Sequence, residues 1–400
     1  MLEGKTVVLG VSGGIAVYKA LELVRLLTKA GAAVQVIMTR NAQEFVTPLT
    51  FQTLSGNPVH SELFNLYQER EIGHISLADR ADLFILAPAT ANLVGKVAQG
   101  LADDLLTTTV MATKAPVLFV PAMNTNMYEN PIYRRNEKFL LEQGYHVLEP
   151  VSGSLACGWE GAGKLPAPEE ILATAEAVIS PQDLRGCRLL VTAGPTREEI
   201  DPVRYLSNYS SGKMGFAIAA AACRRGARVT LVSGPTCLEV PLGVSCDPVC
   251  TAAEMRDAVF SHLEAQDVII KAAAVSDYRS AERASQKIKK GADSVTLRLE
   301  KNPDILAELG RRKGERILIG FAAETERLLA HAAEKLQQKN LDMIVANDIT
   351  APGAGFGADT NLVRLLHADG HIEELELLSK KRVAHKLLDR VQKLWRAKHQ

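Results

Sequence analysis

The sequence is short of what a membrane, a nucleic acid or an oxidising compartment would require. No apolar run approaches the roughly 20 residues of a bilayer-spanning helix. Met1-Leu2-Glu3-Gly4-Lys5 leads straight into a strand-like stretch, so no signal peptide is expected and the chain reads as cytoplasmic. Acid and base cancel, with 46 Lys plus Arg against 46 Asp plus Glu, and no polyanion-binding surface is implied. The 6 cysteines, Cys157, Cys187, Cys223, Cys237, Cys246 and Cys250, form no Cys-x-x-Cys pair and no Cys/His cluster. That pattern points to reduced thiols rather than zinc or disulfides. What remains, 47% hydrophobic and 23% charged over 400 residues, is a globular protein of about two to three domains.

The chain begins twice. Thr6–Gly10 is a short buried-strand run, followed by a Ser-Gly-Gly loop, a helical stretch to Lys29, a break at Gly31 and a second strand, Val34–Met38. The same order returns at Leu189–Ala193, with a break at Gly194-Pro195-Thr196 and a helix predicted from Phe216 to Arg225. Gly226 stops that helix, and Arg228–Val232 forms the next strand. Strand, loop, helix and parallel strand make a βαβ opening. Two of them predict an α/β chain of two Rossmann-like parallel-sheet domains. A helix over Pro168–Ile179 followed by Ser180-Pro181 places the boundary, giving domains at 1–182 and 187–400.

In the first half, Ser12-Gly13-Gly14 sits between strand and helix, where backbone N–H groups favour a phosphate. It lacks the full dinucleotide glycine spacing. Thr39 ends the next strand. Leu83–Ala87 runs into Pro88-Ala89-Thr90-Ala91-Asn92, and Val117–Val120 into Pro121-Ala122-Met123-Asn124. Four strand ends carrying small or hydroxyl residues suit a flat phosphorylated cofactor better than a metal. His74, before an amphipathic helix start, reads alone as a structural histidine, and Asn124 as a helix cap. Ala156–Leu165, with Cys157 and three glycines, reads as a mobile flap carrying a thiol.

Together SGGIAVYK, the PATAN and PAMN loops, the GHI histidine and ACGWEGAGKL resemble the flavin-dependent phosphopantothenoylcysteine decarboxylases. The resemblance implies a trimeric Rossmann-like domain with FMN held by Ser12, Gly13, Gly14, Thr39, Thr90 and Asn92. It further implies a catalytic His74, Asn124 on the substrate carboxylate and Cys157 as proton donor. Lys164 stands where the family's flap usually has arginine, which keeps the charge but not the bidentate fork. Loss of CO₂ from a C-terminal cysteine would leave an unstabilised carbanion. Prior oxidation of the thiol supplies the missing electron sink.

In the second half, Ser210-Ser211-Gly212-Lys213 lacks the P-loop spacing, and Met214 stands where the metal-binding hydroxyl would be, which excludes a Walker NTPase. Val268–Ala274 is a strand running into small residues, with Asp277 just beyond. Lys287-Ile288-Lys289-Lys290 is a basic cluster. Ile317–Ala323 is a further strand, and Lys335 and Lys339 share one face of a helix over Leu329–Lys339. Three basic positions near Asp277 suit a triphosphate with Mg²⁺. TAGPTREEIDPVRYLSNYSSGKMG, AAAVSDYR, KIKK, KNPDI, GFAAET and ANDI resemble the phosphopantothenate–cysteine ligases. With the first half they resemble the bacterial bifunctional enzymes of coenzyme A biosynthesis.

That second resemblance implies CTP contacts from Ala272, Ala273, Ala274, Asp277, Lys287, Asn302, Pro303, Asp304, Ile305, Phe321, Lys335 and Lys339, with Asp277 as the Mg²⁺ candidate. Lys287 would act in cytidylate formation and Asn208 in the second half-reaction. The implied partners are small molecules, 4′-phosphopantothenate, cysteine and CTP, with no nucleic acid and no membrane. Dimeric ligase and trimeric decarboxylase contacts would build a homo-dodecamer. Flavin prenyltransferases and peptide-cysteine decarboxylases share the first half's fold but need no carboxylate-activating partner. A phosphatase-binding regulator would have lost catalytic residues, whereas His74, Asn124 and Cys157 are present.

Overall fold

A computed structural model describes residues 2–63, 73–154, 158, 160–289, 296–324, 328–348, 355 and 357–399. The chain divides into two compact units, Met1–Ser180 and Pro181–Gln400. The division falls between Ser180 and Pro181, a few residues ahead of the 182/187 boundary expected from the sequence.

In the first unit, strands β1 (Thr6–Val11), β2 (Ala33–Met38), β3 (Val59–His60), β4 (Leu83–Ala89), β5 (Val117–Pro121) and β6 (His146–Val147) form one sheet. Its order is β3-β2-β1-β4-β5-β6, and every pairing is parallel. Because side chains alternate along a strand, the apolar runs split into two layers. Val7, Leu9 and Val11 join Val34, Val36, Ile85 and Leu118 on one face. Val8 joins Ile37, Phe84, Leu86 and Phe119 on the other. Burying each such side chain is worth about 1.5–3 kcal/mol. The Val17–Lys29 helix covers the first face with Val17, Ala20, Leu23, Val24 and Leu27, the three-and-four spacing of one helical stripe.

Of the stretch read from sequence as a mobile flap, Glu160–Lys164 is a strand. β7 (Val151–Ser154) pairs antiparallel with β8 (Glu160–Lys164). Gly163, at φ 146°, lies so close to the chain that a Cβ there would meet Met123 O at 2.2 Å. Only glycine permits that approach, and Met123 N donates to Gly163 O at 3.0 Å. Cys157 lies outside the described residues.

The second unit repeats the plan. Its strands are β9 (Arg188–Ala193), β10 (Arg197–Glu199), β11 (Tyr205–Ser207), β12 (Arg228–Ser233), β13 (Ser245–Pro248), β14 (Val268–Lys271), β15 (Tyr278–Ser280) and β16 (Leu299–Lys301). They continue as β17 (Ile317–Glu324), β18 (Met343–Asp348), β19 (Thr360–Asn361), β20 (Val363–His367), β21 (Ile372–Glu374) and β22 (Leu378–Ser379). The main sheet runs β13-β12-β9-β14-β17-β18-β20-β21. It is parallel through β18, after which β20 and β21 add antiparallel. The first six therefore reproduce the order of the N-terminal sheet, and each sheet reverses direction beside its first strand. In open α/β sheets ligands bind at that reversal, outside the carboxyl ends of the strands.

Two expectations shift at these ends. The strand expected over Val268–Ala274 stops at Lys271, and the helix expected from Phe216 starts at Lys213. The helix begins early because Gly212, at φ 78°, supplies the left-handed turn before it. The C-terminal Lys380–His399 helix packs Val383, Ala384, Leu387, Leu388 and Val391 into the same core as Phe216, Ile218 and Ala222. Among the described residues no helix is long and apolar enough to cross a membrane.

Candidate active sites at two sheet reversals

The N-terminal site is a cavity of about 900 Å³ at the carboxyl ends of β1, β2, β4 and β5. Ser12, Gly13 and Gly14 follow β1, Thr39 follows β2, Thr90 and Asn92 follow β4, and Asn124 follows β5; Gly163 and Lys164 of β8, with Leu165, close one side. All six expected flavin contacts and Asn124 thus come together. Ser12 Oγ donates to Pro88 O at 2.7 Å and accepts from Thr90 N at 3.0 Å, tying the β1 and β4 loops to each other. Gly13 passes Asn41 so closely that a Cβ would lie 2.5 Å from the Asn41 Cβ. Thr39 and Thr90 cap the helices that start behind them, accepting from Ala42 N and Leu93 N. The Asn124 amide oxygen likewise accepts from Asn126 N at 2.9 Å, so the capping reading of this residue holds alongside its place in the wall.

Two lysines missing from the expected set stand in this wall. Lys19 Nζ donates to Leu165 O at 2.7 Å. Burial first, and then the neighbouring Lys164 ammonium, hold its pKa below the ordinary lysine value. Two cations that repel each other across a wall are relieved by a bound anion. Lys96, by contrast, is already matched, at 2.7 Å from Asp103 and 3.3 Å from Asp104. His74 does not line the cavity. It lies on the Gly73–Arg80 helix, with Nδ1 buried and without a hydrogen-bond partner among the described residues.

The C-terminal site is a cavity of about 200 Å³. Its wall comprises the Ser210–Gly215 helix entrance, Lys271 at the end of β14 with Ala272–Val275 after it, Phe321 and Ala322 of β17, and Asn347, Asn361 and Lys380. Ala272, Ala273, Ala274 and Phe321 are where the sequence placed them. Gly215 lets the helix sit flush on β9, since a Cβ would lie 2.5 Å from the Ala193 Cβ. The Ala272–Ser276 turn is held by β9 and its loop: Ala273 N donates to Thr192 Oγ1 at 3.1 Å and Ser276 N to Thr196 Oγ1 at 3.0 Å. Both threonines are fully buried, and neither was singled out as functional.

Other expected nucleotide contacts gather beside this cavity rather than in its wall. Lys339 pairs with Asp304 at 2.9 Å, and Asp304 caps the Ile305–Arg312 helix through Ala307 N. Asn302 donates to Ser276 O at 2.9 Å, while its amide oxygen is buried without a partner among the described residues. Ile305 is a core residue, 2% exposed, so its side chain has no free face for a ligand, and Pro303 beside it is exposed. Asn208 Nδ2 donates to Ala274 O at 3.0 Å, which places it against the same turn. Lys335, Lys339, Asp304 and Asp277 all act electrostatically on Lys271.

Lys287 is exposed, but its loop is anchored. Asp201, 1% exposed, accepts from Val203 N, Arg204 N and Ile288 N at 2.8, 2.8 and 3.1 Å. Burial pushes the Asp201 carboxyl up, and the three N–H bonds with the Arg204 charge outweigh it, leaving the pKa below the usual carboxylate value. Asp277, the Mg²⁺ candidate, stands exposed just beyond the Ala272–Ser276 turn, and among the described residues no group of three His, Cys, Asp or Glu could hold a metal without a ligand's help.

Comparison with known proteins assigns both halves. Residues 1–180 match the family model described as Flavoprotein, and residues 184–394 match the DNA/pantothenate metabolism flavoprotein C-terminal domain. The class is therefore a fused two-unit flavoprotein, with one binding cavity at the reversal of each sheet. "Coenzyme A biosynthesis bifunctional protein CoaBC" of Bacillus subtilis is 50% identical over 98% of this chain and 97% of its own. The proteins of the same name from Escherichia coli K12 and Vibrio parahaemolyticus are 49% and 46% identical, each over 98% of this chain and over 97% and 99% of their own length. A solved C-terminal domain of a CoaBC protein is 44% identical, over 54% of this chain and 99% of that one, with a TM-score of 0.47. The chain belongs to the CoaBC family of bifunctional proteins of coenzyme A biosynthesis.

Proposed function

We propose that the chain catalyses two consecutive steps of coenzyme A biosynthesis. The C-terminal unit joins 4′-phosphopantothenate to cysteine at the expense of CTP. The N-terminal unit, holding FMN, decarboxylates the 4′-phosphopantothenoylcysteine formed. The observation that carries this reading is the pairing of two sites at equivalent sheet reversals, the first assembled from all six expected flavin contacts.

The residues fit a flavin. The cavity is large enough for a three-ring cofactor, Gly13 packs flush on Asn41 in its wall, and Lys19 with Lys164 offers positive charge for a phosphate. When bound, FMN supplies a two-electron acceptor and donor. The chain's own residues do the rest. Asn124, its oxygen fixed by the Asn126 N–H, presents its amide nitrogen to the substrate carboxylate. Cys157 delivers a proton to carbon after CO₂ leaves.

The exposed cavity residues Ile15, Tyr18 and Met127, which are 60%, 59% and 48% exposed, call for a cover that the described residues of one copy do not provide. A trimer provides it, and a neighbouring copy is the route by which His74 enters a cavity it does not line within its own chain. Two-fold contacts between C-terminal units complete a dodecamer.

In the second unit the unpartnered Asn302 oxygen suits an amino group such as that of cytosine, and Lys335 and Lys339 suit phosphates. Mg²⁺ arrives on the triphosphate as part of the substrate. A carboxylate is a poor electrophile, so its oxygen first attacks the α-phosphorus of CTP, expelling pyrophosphate, and the cysteine amine then attacks the acyl carbon of the cytidylate and displaces CMP. Lys287 serves the first transfer and Asn208 the second, where its amide stabilises the oxyanion.

The test combines one absorbance spectrum and one reaction. Purified protein carries a flavin band and, with phosphopantothenate, cysteine, CTP and Mg²⁺, releases both pyrophosphate and CO₂. Lys287→Gln stops pyrophosphate release, Asn208→Asp permits a cytidylate that does not react onward, and Cys157→Ser stops only decarboxylation. A flavin-bearing protein that releases neither product refutes the assignment.

A further inference from the structure

One amine of the C-terminal cavity belongs to none of the expected nucleotide contacts. Lys271 is the last residue of β14 and lies in register with Thr192 of β9 and Gly320 of β17. It therefore stands at the reversal itself, in the same wall as the Ser210–Gly212 entrance of the Lys213–Arg224 helix. Its recorded bond is to Ala273 O at 3.3 Å, one acceptor for three N–H donors. Among the described residues no carboxylate comes within ion-pairing distance of it. Asp304, the nearest acid in influence, is already held by Lys339 at 2.9 Å. A half-enclosed ammonium without a counterion, at the carboxyl end of a central strand, is completed by an anion from outside.

We propose that Lys271 is a phosphate-holding residue of the C-terminal site, engaging the polyphosphate of the bound nucleotide together with Lys335 and Lys339. This rests on the ligase reading of the second unit and adds to it a residue and a proton count. Burial first, and then the Lys339 ammonium, push the Lys271 pKa down to about 8, against the pull of Asp304 and Asp277. Phosphate oxygens at the amine raise it again. Below about pH 7 the amine is charged with or without ligand, so no proton moves. Above pH 8 the free site is largely neutral and must take up a proton to bind. Affinity then falls by up to about tenfold per pH unit until the raised pKa is reached.

The experiment is titration calorimetry of the full-length, flavin-loaded protein with CTP and, separately, inorganic pyrophosphate. It is run at pH 7 and 8.5 in two buffers of different ionisation enthalpy, so that proton uptake is read directly. Wild type takes up a fraction of a proton at pH 8.5 that Lys271→Met does not, and the variant binds about tenfold to a hundredfold more weakly at pH 7. Lys271→Arg, charged throughout, shows a flat affinity between pH 7 and 9 where wild type declines. It answers the question if the methionine variant does not fold. CTP binding and proton uptake unchanged in Lys271→Met, or a decline in Lys271→Arg equal to wild type, overturns the role of Lys271 and leaves the ligase reading standing. Lys271-dependent binding of pyrophosphate without binding of CTP keeps the residue's role and refutes the nucleotide. Binding of neither by wild type overturns both.

Discussion

Replacing Thr192 by valine tests the link between the core of the second unit and its chemistry. The valine side chain has nearly the same shape, so the change deletes an acceptor and little else. The Ala273 N–H, which donates to Thr192 Oγ1 at 3.1 Å, is left unpaired in a place where Ala273 is only 7% exposed. An unsatisfied buried donor costs about 1–3 kcal/mol, and the added methyl returns about 0.8 kcal/mol at most. A net loss of about 0.2–2 kcal/mol is expected, a factor of up to roughly 30 in the folded-to-unfolded ratio. Trp395 lies in the C-terminal helix and reports on this unit once Trp159 is replaced by phenylalanine, so urea unfolding by tryptophan fluorescence isolates it. Because the freed turn carries Ala272–Ala274, CTP-dependent pyrophosphate release should also weaken, chiefly through KM for CTP. Decarboxylation of supplied phosphopantothenoylcysteine should not change. Thr192→Ser keeps the acceptor and serves as control. An unfolding midpoint unchanged in Thr192→Val, or lowered equally in Thr192→Ser, would refute the reasoning.

Gly163→Ala places a Cβ at 2.2 Å from Met123 O on a backbone at φ 146°. Strand β8 must lift from Met123, destabilising the first unit by more than about 1 kcal/mol. Decarboxylation should fall at least tenfold while ligation persists, as counted by separate CO₂ and pyrophosphate assays. Asp201→Ala removes the acceptor of three backbone N–H groups and frees the Lys287 loop. Trypsin should cut at Lys287 or Lys289 several-fold faster than in wild type, with pyrophosphate release reduced and the flavin spectrum intact. Unaltered cleavage would show that Asp201 does not hold the loop.

The parts of this fold that run along the chain could be read from the sequence. Apolar runs, glycine breaks and helical stripes are local signals, so both βαβ openings and the polar strand ends Ser12–Gly14, Thr39, Thr90 and Asn124 were visible. Pairings across the sheet were not. Thr192 and Thr196 look like ordinary strand and loop residues until the fold sets them against Ala273 and Ser276, about eighty positions on. Asp201 sits inside a recognised motif, yet its role depends on Ile288 returning to it. Lys271 was indistinguishable from a strand residue with a solvated end, because what marks it is that, among the described residues, the acids around it stay outside ion-pairing distance. Within the Ala156–Leu165 stretch the glycines suggested freedom, whereas Gly161 and Gly163 stand where a Cβ would run into Thr125 and Met123.

The outer strands of both main sheets are cut short. β3 and β6 have 2 residues each. β13 has 4 and ends in Pro248, which carries no N–H to donate. β21 has 3, and its Glu373 and Glu374 are engaged by Arg390 and Arg364. None of these borders offers a neighbour the row of open backbone groups on which one sheet can be extended by another. At these described borders neither main sheet can therefore be lengthened strand by strand by another copy of the chain.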